Sequence, residues 1–275
     1  MACNECNDKV DVIIQSSDGL LHGAHSRNLE LYSGAFPSTS FASPADCEVN
    51  ILELTETSEV VVLMLKYVHN RQQPNSEEIK FEVMVDLAEA VEEYQIYSAM
   101  EVCRLHMKNA AVLHPMDVLA WAARHGYMEI ADLAAPGTLG LTLESVWRSL
   151  GPAPMASWIF YREPYMQAIR EASQRPELPN HRVNNRDVPC DWNSRYQKPT
   201  LEILSELMKD PQRIHTVNTW GREKIPPPGC DICTGQSVSP MIDWLNSLAN
   251  KARTIPAFSI VHRGGPARTQ PTPTQ

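Results

Sequence analysis

The sequence lacks a hydrophobic run long enough to cross a membrane and lacks an apolar segment at its start. Its longest uninterrupted apolar run is VVVLML, residues 60–65, whereas a membrane-spanning helix needs about 20 residues. The first ten residues, MACNECNDKV, carry charges before any apolar stretch, unlike a signal peptide. We therefore expect no membrane partner and a location in the cytoplasm, the nucleus or both.

Patterns typical of enzymes are also missing. The stretch GTLGLTLES, residues 137–145, lacks the glycine spacing of a phosphate-binding loop. The sequence contains neither His-Glu-x-x-His nor the nucleophile elbow of hydrolases. We therefore expect no catalytic residues, no cofactor-binding residues and no enzymatic activity.

Positive charge is scarce in the first half of the chain. Residues 1–151 carry 9 Lys and Arg against 22 Asp and Glu, whereas residues 152–275 carry 15 against 11. Phosphate binding needs concentrated positive charge, so we expect no nucleic acid partner. Only 5 of the 21 prolines precede residue 152. Both shifts in composition predict two regions that meet near residues 149–154.

Two short strands and a helix are predicted at the start of the chain. Residues 10–17, VDVIIQSS, are rich in β-branched residues, and the turn signal Ser-Asp-Gly at 17–19 leads into LLHGAH, residues 20–25. Residues 26–36 then place apolar side chains at helical spacing until Pro37 ends the run.

Helices dominate the rest of the predicted structure, so the expected class is α+β. Residues 48–54 alternate as a third strand, and the capping candidates Thr57 and Ser58 favour a helix over a strand at residues 55–70. Loops are predicted at 174–189 and 222–229. Further helices are predicted at residues 81–96, 97–112, 114–126, 127–137, 141–151, 164–173, 201–210 and 239–253. The pattern has no βαβ alternation, which excludes a doubly wound nucleotide fold.

The predicted hairpin, the following histidine and the first helix resemble the BTB/POZ domain. Members of that family carry D-V-x-Φ-x-S-S-D-G (Φ is apolar), then Ala or Val before His, then a helix with L-x-x-x-S-x-x-F. The matching residues are Asp11, Val12, Ser16, Ser17, Asp18, Gly19, Ala24, His25, Leu29, Ser33 and Phe36. In the family this histidine closes the strand and helps seat the helix. The resemblance therefore implies a structural role for His25, and not a catalytic or metal-binding one.

The resemblance continues along the chain and implies its domain organisation. Residues 49–70 look like the third strand and following helix of the family, and residues 87–107 look like its helical pair, with the typical Tyr94 and Cys103. Residues 114–140 are similar to the helical extension of fungal BTB proteins, in Pro115, Val118, Ala122, Gly126, Ala134, Ala135, Thr138 and Leu139.

These matches imply a BTB/POZ domain, a short three-stranded sheet with helices, at residues 8–111, followed by an all-helical extension at 112–151. We expect a proline-rich, mostly helical region at 152–262 and a disordered tail at 263–275.

The family resemblance implies a protein–protein interaction module that has no reaction of its own and binds itself, a second protein or both. Three variants remain open: a substrate adaptor for a cullin-type ubiquitin ligase, a transcriptional scaffold and a plain homo-oligomeriser. A rival from another class is a small zinc or redox protein that uses its Cys-x-x-Cys pairs.

Two details of the sequence refine the expected partners. Strand-exchanged BTB dimers have a long helix before the first strand, whereas only nine residues, most of them polar, precede Val10 here. A homodimer is therefore expected to be weak or not exchanged, and to use the hairpin and residues 26–36. Cullin-binding members carry an apolar-x-Glu motif after the first helix. Here Phe41 is followed by Ala42 and Ser43, which favours a polar loop over a contact with a cullin scaffold.

The cysteine spacing predicts one metal site, a structural zinc. Cys230 and Cys233 are separated by two residues, which lets both thiolates reach one zinc ion at about 2.3 Å. Cys190 is the natural third ligand, and the fourth is either His181 or His215.

Two other interpretations of these thiols remain open. Cys190, Cys230 and Cys233 could be reduced thiols that pack near Trp192 and Trp244, or Cys230 and Cys233 could form a transient disulfide. Cys3 and Cys6 form a second candidate pair for a metal.

Overall fold

The structure, a computed structural model, describes residues 10–36, 50–69, 72–173, 181–183, 186–188, 192–225 and 240–263. Contacts group the chain into two compact units, Met1–Leu113 (unit 1) and His114–Gln275 (unit 2). Most of the described residues are helical and unit 1 contains a small mixed sheet, so the class is α+β. The four-part division expected from the sequence stays a prediction.

Unit 1 contains a three-stranded sheet with the order β2-β1-β3. Strands β1 (Val12–Gln15) and β2 (Leu21–Ala24) form an antiparallel hairpin, and β3 (Asn50–Glu53) pairs parallel to β1. The three strands expected from the sequence are confirmed. Parallel strands need a crossover connection, and α1 lies in the chain between β2 and β3.

The described helices of unit 1 are α1 (Ser26–Tyr32), α2 (Ser58–Tyr67), α3 (Phe81–Glu93) and α4 (Tyr97–Ala110). The helix predicted for the ambiguous segment at residues 55–70 is confirmed as α2. The apolar stripe predicted along α3 is buried, at Met84, Leu87, Ala88 and Val91. Helices α2, α3 and α4 pack on one another, so together they cover the apolar side of the unit.

Helix α1 is shorter than the sequence pattern indicated. The helix was predicted to reach Phe36, but it ends at Tyr32, which is 40% exposed. Two backbone hydrogen bonds from the next residues to a distant turn replace the last helical turn: Gly34 N donates to Gln95 O and Ala35 N to Tyr94 O. Helical spacing alone cannot reveal such long-range partners.

Unit 2 is built around one long helix. Helix α8 (Pro152–Ser173) carries the buried side chains Trp158, Tyr161 and Tyr165. The helices of unit 2 that contact it are α5 (Pro115–His125), α7 (Leu143–Leu150), α9 (Trp192–Lys209), α11 (Pro240–Arg253) and α12 (Phe258–His262). The other described α-helices of the unit are α6 (Met128–Ala134), which packs on α5, and the short α10 (Val217–Trp220). Short 3₁₀ helices lie at Ala135–Thr138, Pro211–Thr216 and Gly221–Lys224.

Three features of unit 2 differ from the sequence expectation. Helix α8 was predicted from residue 164, but it starts at Pro152 and continues through Pro164. Proline removes one backbone hydrogen bond, and buried aromatic residues on both sides of Pro164 keep the helix continuous. A loop was predicted at residues 174–189, but β4 (His181–Val183) and β5 (Arg186–Val188) pair there as an antiparallel hairpin.

The third difference concerns the extent and the face of α9, which was predicted from residue 201 but starts at Trp192. The pattern placed Leu201, Leu204 and Met208 on one face, but Leu201 and Met208 are 58% and 54% exposed, and the fully buried residues are Ile203 and Leu207. By contrast, the inward face predicted for α11 is confirmed at Met241, Trp244, Leu245 and Leu248.

A tight loop after α6 contacts both α8 and the end of α9. The Thr138 hydroxyl donates to Ala135 O and accepts from the Trp158 indole N–H, at 2.7 and 2.8 Å. A Cβ atom on Gly140 would lie 2.4 Å from Lys209 O, at the end of α9. Only glycine permits this approach. Within the part of the chain that the structure describes, no helix is long and apolar enough to span a membrane.

Candidate interaction surface

The turn of the β1–β2 hairpin is bound to the start of α2. The Asp18 carboxylate accepts a hydrogen bond from the Ser16 hydroxyl, and its Oδ1 accepts from Ser58 N at 3.1 Å. These bonds, chiefly the one from Ser16, hold the pKa of Asp18 below its ordinary value. His22 Nε2 lies 3.0 Å from the Ser58 hydroxyl oxygen. The side chain of Thr57, a predicted cap, makes no capping bond, because Asp18 satisfies the first turn of α2.

A second carboxylate fixes the start of α1. Asp11 Oδ1 accepts from Ser26 N at 2.9 Å, and its Oδ2 accepts from the Ser26 hydroxyl at 2.6 Å. Desolvation raises the pKa of Asp11, but the bonds from Ser26 outweigh it, so the pKa lies below its ordinary value. A carboxylate is favourable at a helix N-terminus, and this one lies just before β1. The hairpin and α1 are therefore held in a defined orientation.

His25 occupies the junction between β2 and α1. Its carbonyl oxygen accepts from Leu29 N at 3.1 Å, and its side chain is only 7% exposed. Its ring centroid lies 5.6 Å from that of His69, whose Nδ1 is 2.5 Å from Leu65 O. The ring is thus buried against the end of α2.

The segment after α1 is clamped to the turn between α3 and α4. The Phe36 ring stacks on the Tyr94 ring with centroids 4.6 Å apart, and the Tyr94 hydroxyl donates to Glu56 Oε2 at 3.0 Å. Burial, followed by the nearby charge of Glu56, raises the pKa of Tyr94 well above its ordinary value, so the phenol stays protonated. The clamp leaves the end of α1 beside Tyr97, since a Cβ on Gly34 would lie 2.7 Å from the Tyr97 hydroxyl oxygen.

The strand register leaves apolar side chains on the outer side of the sheet. Val12 and Ile14 are buried, so the alternate residue Ile13 points to the opposite side. Ile13 pairs with Gly23 in β2 and with Ile51 in β3. Ile51 is 57% exposed. We call Ile13, Leu21 and Ile51 the outer sheet face.

A second group of exposed apolar residues lies at the end of α1. Leu31 is 65% exposed, and both Tyr32 and Tyr97 remain accessible. We call Leu31, Tyr32 and Tyr97 the α1 end. The hairpin and residues 26–36 were predicted from the sequence as the region for a contact, but Ile51 and Tyr97 were not. For Ile51, the alternation of side chains along the predicted third strand could have indicated an exposed position.

The three predicted zinc ligands, Cys190, Cys230 and Cys233, lie outside the residues that the structure describes, as do Cys3 and Cys6. Of the two candidates for the fourth ligand, His181 belongs to the backbone of β4 and His215 lies in a short helix, Pro211–Thr216. His215 Nε2 lies 3.1 Å from the Tyr165 hydroxyl oxygen. Among the described residues, no group of three or more His, Cys, Asp or Glu is arranged to hold a metal ion.

The described thiol of the chain, Cys103, is fully buried in α4. Burial, with a smaller contribution from the charge of Glu92, raises the pKa of Cys103 to about 12. The thiolate is the reactive form of cysteine, so this residue is a packed side chain with little nucleophilic character.

No family model matches the sequence, and no match was found among curated proteins or solved structures.

Proposed function

We propose that unit 1 is a BTB/POZ-type protein–protein interaction module that catalyses no reaction and binds a second copy of itself, another protein or both. The observation that carries this proposal is the pair of exposed apolar groups, the outer sheet face and the α1 end, on a framework with fixed geometry. Exposed apolar side chains that form a patch mark interaction sites, and Ile13 and Ile51 are neighbours in the sheet.

The contacts of the motif residues support the BTB/POZ resemblance. The order of elements is hairpin, helix, strand, helix and then two further helices, as in the resemblance. Asp11 and Asp18 each reach across to the first turn of a different helix, and His25 lies between the hairpin and α1. These contacts explain why two aspartates and a histidine occur together in the sequence pattern of the hairpin and first helix.

The net negative charge of unit 1 limits how strongly two copies can associate. Residues 1–113 carry 7 Lys and Arg against 18 Asp and Glu. Two such units repel each other, and added salt screens this repulsion between exposed charges. We therefore expect weak self-association of the full chain that becomes stronger as the salt concentration rises.

Sedimentation velocity over a range of concentrations tests the self-association. Ile51→Glu and Leu31→Glu each bring a carboxylate into an apolar contact, and we expect each to weaken association about tenfold or more. The matched control is Leu201→Glu in unit 2, because Leu201 is 58% exposed and Ile51 is 57% exposed. This control should associate like the unchanged protein.

The result distinguishes self-association from recruitment of another protein. A mass of one chain at every concentration and salt level would remove self-association and leave recruitment of another protein. Recruitment is then tested with partners cross-linked in cells. Partners that stay bound to the Ile51→Glu/Leu31→Glu double variant would show that these surfaces are not the interface.

The adaptor variant requires a direct contact with a cullin. Residues 41–43, Phe-Ala-Ser, whose lack of a glutamate argued against this contact, lie outside the described residues, so the expectation still comes from sequence. We expect a purified cullin N-terminal domain not to bind the chain. Binding at low micromolar affinity would favour the adaptor over the other variants.

A further inference from the structure

The last described helix, α12, is bound like a separate peptide between two other helices of unit 2. It has five residues and follows α11 after a link of four residues, 254–257. Its neighbours are α6 and α8. Isolated helices this short are not stable, so α12 owes its conformation to the groove that holds it.

One aromatic side chain anchors α12 in this groove. Phe258 is fully buried, and its ring meets that of Tyr161 edge to face with centroids 5.8 Å apart. Ile260, two residues later, is 47% exposed. A single buried aromatic residue in a pocket is the usual anchor of a short recognition segment.

Two polar contacts set the direction of the helix. The carboxylate of Asp132, in α6, accepts from both the backbone N–H and the hydroxyl of Ser259, each at 2.7 Å. At the other end, His262 Nδ1 lies 3.0 Å from the Ser157 hydroxyl oxygen in α8. The groove therefore recognises an aromatic residue followed by serine at the start of a helix, with histidine three residues after the serine.

We propose that this groove is a binding site for short helices with that pattern, and that α12 of a second copy of the chain is its occupant in a dimer formed by exchange. None of the contacts depends on the link to α11, so the segment of another copy would make the same ones. The link is short and contains Pro256, and short, stiff hinges favour exchange between copies.

Binding within one chain is the default, because a short link gives α12 an effective concentration in the millimolar range. Exchange therefore has to be tested with the internal contact blocked. Phe258→Asp removes the anchor of α12 and leaves the groove unchanged. Asp132→Arg places a cation against the start of the helix and leaves α12 intact but released.

The experiment mixes the two full-length variants and follows complexes of mixed mass by native mass spectrometry. The intact α12 of the Asp132→Arg chain should fill the groove of the Phe258→Asp chain. An excess of the peptide TIPAFSIVHR, residues 254–263, should abolish these mixed complexes. Association through unit 1 would resist the peptide, so the failure of one proposal is distinguishable from the failure of the other.

A direct binding measurement covers the case in which Phe258→Asp disturbs unit 2. Ser259→Glu faces Asp132 with a second carboxylate, releases α12 and changes no buried apolar residue. The labelled peptide should bind this variant at least tenfold more tightly than the unchanged chain. A peptide with alanine in place of serine should bind about tenfold more weakly. Equal binding of both peptides, or mixed complexes that persist with excess peptide, would overturn the proposal.

Discussion

Units 1 and 2 place their helices by different chemistry. In unit 1, carboxylates connect elements that are distant in sequence: Asp18 reaches Ser58, and Glu56 accepts from Tyr94. Unit 2 also uses a carboxylate in this way, Asp132 on Ser259, but in its interior buried indoles take the role. Trp158 donates to Thr138, and the Trp244 indole N–H donates to Ala172 O at 3.2 Å. One chain can therefore fix long-range geometry either with charged carboxylates near the surface or with neutral donors in the core.

The two units can be observed separately. All six tryptophans of the chain lie in unit 2: Trp121, Trp147, Trp158, Trp192, Trp220 and Trp244. Tryptophan fluorescence therefore reports the unfolding of unit 2 alone, whereas amide hydrogen exchange, resolved by peptide, follows both units.

The largest difference between the units would come from a structural zinc, since all three proposed ligands, Cys190, Cys230 and Cys233, belong to unit 2. We expect about one equivalent of zinc in protein purified without a metal-binding tag, because the paired thiolates suit this ion. Chelation should then destabilise unit 2 and leave unit 1 unchanged. The Cys230→Ser/Cys233→Ser variant is the control. Less than a tenth of an equivalent in unmutated, folded protein would rule the site out.

Removal of the central indole should have the next largest effect. Trp158→Ala deletes a fully buried side chain and its bond to Thr138, so the free energy of unfolding of unit 2 should fall by about 3–5 kcal/mol. Urea unfolding followed by the remaining tryptophans measures this change. Trp147→Ala, at a position 52% exposed, should cost less than about 1 kcal/mol. Equal losses for the two variants would contradict the described core.

A smaller loss is expected in unit 1 when the Tyr94 hydroxyl is removed. Tyr94→Phe keeps the stack on Phe36 but leaves Glu56 without this donor, which should cost about 1–2 kcal/mol. Faster hydrogen exchange in α3 and β3 measures the effect, and the fluorescence of unit 2 should not change. Tyr32→Phe, at an exposed position, is the matched control. A larger effect on hydrogen exchange in unit 2 than in unit 1 would contradict the expected role of this hydrogen bond in unit 1.

The smallest expected effect is the loss of stability of unit 2 in mild acid. Desolvation lowers the pKa of His215, so the unfolded chain binds a proton more readily than unit 2 does. Above the ordinary pKa of about 6.5 this difference does not affect the stability of unit 2, and the free energy of unfolding falls as the pH drops below that value. Because His215 is partly exposed, the loss should be slight.

Fluorescence-detected urea midpoints of unit 2 at pH 7.5 and pH 5.5 measure this loss, and His215→Gln should reduce the difference between them. In unit 1, Asp11 and Asp18 have a lowered pKa, so their contribution is lost only in stronger acid, below about pH 4. Unit 1 losing stability before unit 2 on mild acidification would reverse the expected order.

Local signals predicted the hairpin and the helical segments well. The turn at residues 17–19 and the periodicity of α3 are properties of neighbouring residues, and the structure confirms both. The end of α1 depends instead on backbone groups of Tyr94 and Gln95, about 60 positions away. The start of α8 depends in a similar way on aromatic packing that outweighs the effect of Pro164.

The candidate surfaces were predictable only in part. Sequence reasoning named the hairpin and residues 26–36, but exposure along β3 is set by the pairing of Ile51 with Ile13, and a shift of one residue would reverse it. The contact between Asp132 and Ser259 joins residues 127 positions apart. No pattern within either segment indicates it.

The parallel pairing of β1 with β3 has a consequence for the synthesis of the protein. Val12 pairs with Asn50, and α4, which closes the helical layer of unit 1, ends at Ala110. At roughly 5–20 residues per second, the ribosome finishes α4 on the order of ten seconds after the hairpin. A lone two-stranded hairpin is barely stable in water, and the open edge of β1 can pair with other nascent chains. Until Glu53, the end of β3, has been synthesised, the strand that pairs with this edge of β1 is incomplete.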